Sequence, residues 1–125
     1  MDAQACFELA MRHIYADGVP EDNALALRLL TRADEMDHVE AAYNLGICYH
    51  YGYGAQADLE KAYALYLKAA QAGHGKGMEL VGRFHNRGIH VKRNREEAEK
   101  WLRRAMESGD PEAVEEARKE WDWTE

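Results

Sequence analysis

Six histidines, two cysteines and a single serine are the residues of this 125-residue chain with which chemistry could be done. Spacing argues against most of it. His38 and His74 lie 36 residues apart and His13 and His85 twice that, both multiples of a 36-residue period that runs through the chain. Residues one period apart belong to neighbouring helices, about 10 Å away from each other, whereas zinc holds its ligand atoms at about 2 Å. His85 and His90 straddle Gly88 and are not the i, i+4 pair of one helix face. Structural or surface histidines are therefore expected, and no metal. Ser108 is followed three residues later by Pro111, so the S-x-x-K nucleophile pattern is absent. Glu96-Glu97 and Glu115-Glu116 fall on charged, solvated helix faces. Gly52-Tyr53-Gly54 and the glycine-rich run 73–77 lack the G-x-x-x-x-G-K-[ST] order and follow no strand, so they read as helix stops and not phosphate cradles. No catalytic residue and no cofactor are expected.

The elements behind this spacing are short amphipathic helices. Shifting the sequence by 36 residues superposes Leu9, Leu45 and Val81, then Ala10, Gly46 and Gly82. Ala26, Ala62 and Ala98 follow, with Ala33, Ala69 and Ala105, and with the N-cap residues Asp22, Asp58 and Asn94. A fixed period of this size marks a stacked repeat protein. The spacing predicts a first helix from about Asp2 to Ala16, ended by Asp17-Gly18-Val19-Pro20, and a second from Asn23 to about Met36. The third repeat opens its second helix with Asn94 and Glu97, a capping-box pattern. Pro111 sits at the favoured first turn of a last helix, PEAVEEARKEWDW, that would seal the array. Trp121 aligns with Tyr49 and His85, whereas Trp123 falls beyond the repeat phase. The expected division is repeat one 3–38, repeat two 39–74, repeat three 75–110 and a capping helix 111–125. Mid-helix glycine costs about 1 kcal/mol relative to alanine. Small residues at 10, 46 and 82 therefore imply close approach of the partner helix, which presents Ala26, Ala62 and Ala98.

Cys6 and Cys48 differ by one period plus six residues, a rise of about 9 Å along a helix. Their Cα atoms should lie beyond the roughly 7 Å reach of a disulfide. Two buried free thiols suit a reducing compartment, and with no export signal in MDAQACFELAMRH the expected location is the cytoplasm. No run of about 18 apolar residues is present to span a membrane. The net charge of −7 is uneven. Residues 1–74 carry 5 Lys/Arg against 11 Asp/Glu, residues 75–104 carry 9 against 4, and residues 105–125 carry 2 against 8. An acidic chain with one basic repeat is a poor nucleic-acid binder and a better candidate for a charge-steered protein partner.

Ala41, Leu45-Gly46, Tyr49, Gly52-x-Gly54, Asp58, Lys61-Ala62, Tyr66, Ala69-Ala70 and Gly73 carry a family resemblance. The second repeat resembles the Sel-1-like repeat, a relative of the tetratricopeptide repeat, and the flanking repeats match it more loosely. The third replaces the second turn glycine with His90 and the tyrosine with His85. The resemblance implies an all-α fold: a short right-handed solenoid of three antiparallel helix hairpins, concave along the first helix of each. It also implies an adaptor in protein complexes. The family's disulfide-linked members carry a cysteine pair in each repeat, which this chain does not.

By the repeat phase, that concave face would present three ladders: Phe7, Tyr43 and Glu79; Met11, Ile47 and Arg83; Tyr15, Tyr51 and Arg87. Ile14, His50 and Asn86 lie beside the last. Tyrosine and arginine are the composition favoured in interface hot spots, and Arg83 with Arg87 could grip a carboxylate. The expected function is a non-enzymatic interaction module holding a protein or peptide, an acidic segment being one form that partner could take. An inhibitor or immunity-type protein that blocks an enzyme is the alternative, and a hydrolase ranks third. No nucleic-acid or membrane partner is expected, and the chain is expected to be a monomer or a weak homodimer.

Overall fold

A computed structural model describes residues 1–123. Among these there are seven α-helices and no strand: α1 Ala3–Tyr15, α2 Asn23–Glu35, α3 Val39–Tyr51, α4 Leu59–Gln71, α5 Gly75–Arg87, α6 Arg95–Met106 and α7 Pro111–Trp123. The expected final helix ran to residue 125; residues 124 and 125 lie outside the described residues. The chain forms two compact units that divide within α4, one of residues 1–65 and one from residue 66 onward. In the first, α2 packs on both α1 and α3. In the second, α5, α6 and α7 pack pairwise on one another.

The 36-residue period is written into the caps. Asp2, His38 and His74 occupy one phase, and each side chain accepts the backbone N–H of the third residue on: Ala5, Ala41 and Gly77. Asp110 holds the same phase before α7 and accepts from Glu112 and Ala113. Asp22, Asp58 and Asn94 cap the second helices in the same way, satisfying N–H groups that a helix start leaves without partners. The backbone N–H of each of these three also donates to the first helix, at His13, Tyr49 and His85 respectively, and so closes each hairpin.

The first helix ends where the spacing placed it, with Ala16 as its C-cap, at φ 53°. That is the phase of Gly52 and Gly88, which cap α3 and α5 in the same left-handed conformation. Asp37 (φ 61°) and His90 (φ 63°) likewise stand where other repeats carry glycine. The left-handed turn is therefore fixed by the hairpin geometry, and a side chain at such a site strains against it.

Each unit has its own core. In the first, Cys6, Ala10, Ala26, Leu29, Leu30, Ala33, Ala41, Leu45 and Cys48 are buried, with Phe7, Ile14, Tyr49 and Leu65 packed at the edge. In the second, Tyr66 and Phe84 are fully buried and meet edge to face, 5.8 Å between centroids. Val81, Leu102 and Ala105 pack among the buried residues of the same unit. Close helix approach is seen directly at Gly82, where a Cβ would sit 2.8 Å from Leu102 and 3.3 Å from the Ala98 carbonyl. Both cysteines are free and buried, and burial pushes the Cys48 thiol above its ordinary pKa. Among the described residues no helix is long and apolar enough to cross a membrane.

Candidate interaction surface

The charged half of the expected surface lies on α5, and α7 covers it. Glu120 of α7 is buried, and its carboxylate accepts from Asn86 Nδ2 at 2.5 Å, Arg87 Nε at 3.0 Å and Arg87 Nη2 at 2.7 Å. Arg83 donates to Glu79 at 2.6 and 3.0 Å and lies 3.6 Å from Glu116. Burial raises the Glu79 carboxyl above the usual carboxylate range; the charge and hydrogen bonds of Arg83 oppose it. The hydrogen bonds to Glu120 raise Arg87 further still.

Two expectations are corrected here. Glu79 and Asn86 are 4% and 0% exposed, so neither meets a partner while α7 is docked. Arg83 and Arg87 do grip carboxylates, but those carboxylates are the chain's own. The physical reason is positional. Helix α7 occupies the place of a fourth first helix, and Glu120 falls in the phase of the buried residues Cys48 and Phe84. A carboxylate there is tolerated only because Asn86 and Arg87 meet it.

The apolar half is arranged differently. In the first unit, Met11, Ile14 and Tyr15 of α1 face Ile47, Cys48 and Asn44 of α3 across a groove of about 380 Å³. Glu21, Asn23 and Tyr53 complete its lining. Of the expected ladder residues, Met11, Tyr15 and Ile47 are thus brought together, with Ile14 beside them. Tyr15 is 72% exposed, Tyr51 56% and Tyr53 49%. Rings of His50, Tyr51 and Tyr53 form a stack, with centroids 4.3 Å and then 5.9 Å apart. Phe7 is half-buried at the core edge and stacked on His38 at 4.7 Å, which ties it to the fold. Tyr43 is also half-buried.

Sequence reasoning missed Glu21, Asn23, Asn44 and Tyr53 as groove residues. Tyr53 was legible: an aromatic between two turn glycines has no role in making the turn. Gly54 beside it packs so closely that a Cβ would overlap the Asn23 carbonyl, which holds the turn against the α2 N-terminus.

His38 and His74 are helix N-caps, and His13 Nδ1 lies 2.9 Å from the Pro20 carbonyl. His38 uses Nδ1 for its cap and pairs Nε2 with Gln4 Oε1 at 2.7 Å, which makes Nε2 the protonated nitrogen. Among the described residues no three His, Cys, Asp or Glu side chains cluster as a metal site would require. On α6, Glu99, Lys100 and Arg104 border a shallow depression. Arg95 pairs with Glu99 and Arg104 lies over Trp101, the pattern of a solvated helix face.

The Sel1 repeat family model matches residues 3–38, 39–74 and 75–110. The chain is 35% identical over 112 residues to the chitin synthase regulator SKT5 of Malassezia restricta, covering 86% of this chain and 8% of that protein. It is 32% identical to SKT5 of Saccharomyces cerevisiae over 78% of this chain and 14% of that protein. The chain thus spans a small fraction of the length of these curated relatives. Among solved structures, a Sel1 repeat protein from Oxalobacter formigenes matches with a TM-score of 0.86 and 26% identity, over 90% of this chain and 46% of that one. Cysteine-rich protein B of Helicobacter pylori shares the fold, with a TM-score of 0.73 and 24% identity over 90% of this chain and 86% of that one. Three tandem matches and this helical architecture show that the chain belongs to the Sel1 repeat family, whose repeats are protein-interaction modules.

Proposed function

We propose that this chain is a non-enzymatic binding module that takes a segment of a partner protein into the α1–α3 groove of its first unit. The observation that carries the reading is the groove itself. It is an open apolar trough walled by Met11, Ile14, Tyr15 and Ile47 and edged by exposed tyrosines. Exposed tyrosine around an apolar centre is the make-up of interaction hot spots. Tyr15, Tyr51 and Tyr53 each leave about half or more of their surface in solvent. An acidic partner segment would reach Arg83 and Arg87 only by displacing Glu79 from the first and Glu120 from the second, so the first unit is the better seat. Two buried free thiols suit a reducing compartment such as the cytoplasm.

A second reading is favoured by the relatives' names, which describe regulators of chitin synthase. Under it, the module binds an enzyme, or an enzyme's partner, and changes its activity without catalysing anything itself. Both readings use the same groove. Ile47→Asp should abolish binding of a partner recovered from the native host while leaving the helical circular dichroism intact. Binding undiminished by Ile47→Asp and by Tyr15→Asp would refute the groove as the binding site.

A further inference from the structure

The groove carries more than apolar surface, and its charge points to one kind of occupant. Glu21 lines it, is exposed, and makes no hydrogen bond or ion pair among the described residues. It is the only charged side chain of the lining. The neighbouring carboxylate, Asp22, is already committed to the Leu25 N–H. The whole first unit is acidic, with 4 Lys/Arg against 11 Asp/Glu in residues 1–65. Of those cations, Arg12 is turned to the Asp17 carbonyl and Lys61 lies over the Tyr49 ring.

Tyr15 and Tyr53 stand in the groove wall with 72% and 49% of their surface in solvent. The face of a tyrosine ring attracts a cation by about 0.5–1 kcal/mol at such sites. The floor is different: Met11, Ile14, Ile47 and the buried Cys48 offer an incoming side chain nothing but apolar contact, with Asn23 and Asn44 as the polar rim. Asn44 already donates to the Glu40 carbonyl, which fixes its side chain at the edge.

We infer that the α1–α3 groove receives a bulky apolar side chain from a partner segment that carries lysine or arginine beside it. The apolar residue enters between Met11 and Ile47. The cation is placed near the Glu21 carboxylate and the tyrosine faces. This selects basic over acidic segments, opposite to the preference expected when Arg83 and Arg87 were taken as free. The inference rests on the groove being the binding site and adds the chemistry of what enters it.

Three fluorescein-labelled peptides test it, each with one central tryptophan flanked by lysine, serine or glutamate. Fluorescence anisotropy should show the lysine peptide binding roughly tenfold tighter than the glutamate peptide at low salt, a gap that narrows as salt screens the charges. Glu21→Lys should erase that preference, and Ile47→Asp should remove binding of all three. Equal affinities that are still lost in Ile47→Asp would overturn the charge inference and leave the groove standing. Binding of the lysine peptide that survives Ile47→Asp, or no binding of any peptide, would overturn both.

Discussion

Replacing Glu120 with alanine removes the carboxylate that joins α7 to Asn86 and Arg87. Two losses can be separated. Asn86 is 0% exposed, and its amide would lose the short bond to the carboxylate and keep only the Glu120 backbone carbonyl at 3.4 Å, a loss of about 1–3 kcal/mol. The Arg87 side chain is 42% exposed and can turn to water, so its ion pair adds at most about 1 kcal/mol. The expected destabilisation is therefore about 2–3 kcal/mol. It should be concentrated in α7, whose other buried residues of the described chain are the small Ala113 and Ala117. Glu120→Gln keeps an acceptor for Asn86 and should lose about half as much. Urea denaturation gives the magnitude, and hydrogen exchange read by mass spectrometry gives the place: faster exchange across Pro111–Trp123, with α1–α3 unchanged. Glu120→Ala within about 0.5 kcal/mol of wild type, with α7 exchange unaltered, would refute the reasoning.

Three further outcomes are expected. Ala16→Gly should stabilise the protein by about 0.5–1 kcal/mol in thermal or urea unfolding. Relief of a left-handed Cβ is worth about 1–2 kcal/mol, offset by about 0.4–1 of added freedom in the unfolded chain. Gly82→Leu should destabilise by at least about 1–3 kcal/mol, because its Cβ alone would press on the buried Leu102 and the Ala98 carbonyl; an unchanged melting curve would remove the close-packing argument. His85 titrates below the ordinary imidazole value of 6.5, held there chiefly by burial, with Lys100 adding to the effect and Glu97 opposing it. The folded chain thus binds fewer protons at this site than the unfolded one. Its contribution is complete above pH 6.5 and is lost as pH falls through the lower folded value. His85→Phe should flatten that part of the stability profile, and an identical slope in both proteins would contradict the assignment.

Most of the architecture was legible because it repeats. One period sets the helix N-caps at 22, 58 and 94, and the small residues at 10 and 82 are buried where close approach was expected. The end of α1 near Ala16 was legible, but alanine hid its left-handed conformation, which glycine announces at the same place in the next two repeats. The candidate surface was half legible. Met11, Tyr15 and Ile47 do line one groove, since i and i+4 residues on α1 share a face whatever lies opposite. The charged half failed for want of a neighbour. Arg83 and Arg87 read as free only if nothing follows α5 in its own row, and α7 does. Glu120, a carboxylate in the phase of Cys48 and Phe84, was the signal that the side chains of α5 facing it would have to be polar. The aromatic at Tyr53 was passed over because its glycines explained the turn and drew attention from the residue between them.

The most direct test of the central claim is methyl NMR of the full chain titrated with the lysine-flanked tryptophan peptide. The account predicts shift changes at the methyl groups of Met11, Ile14 and Ile47, with those of Leu102 and Val81 unmoved. Perturbation confined to methyl groups of the second unit, with Met11, Ile14 and Ile47 silent at saturation, would contradict it.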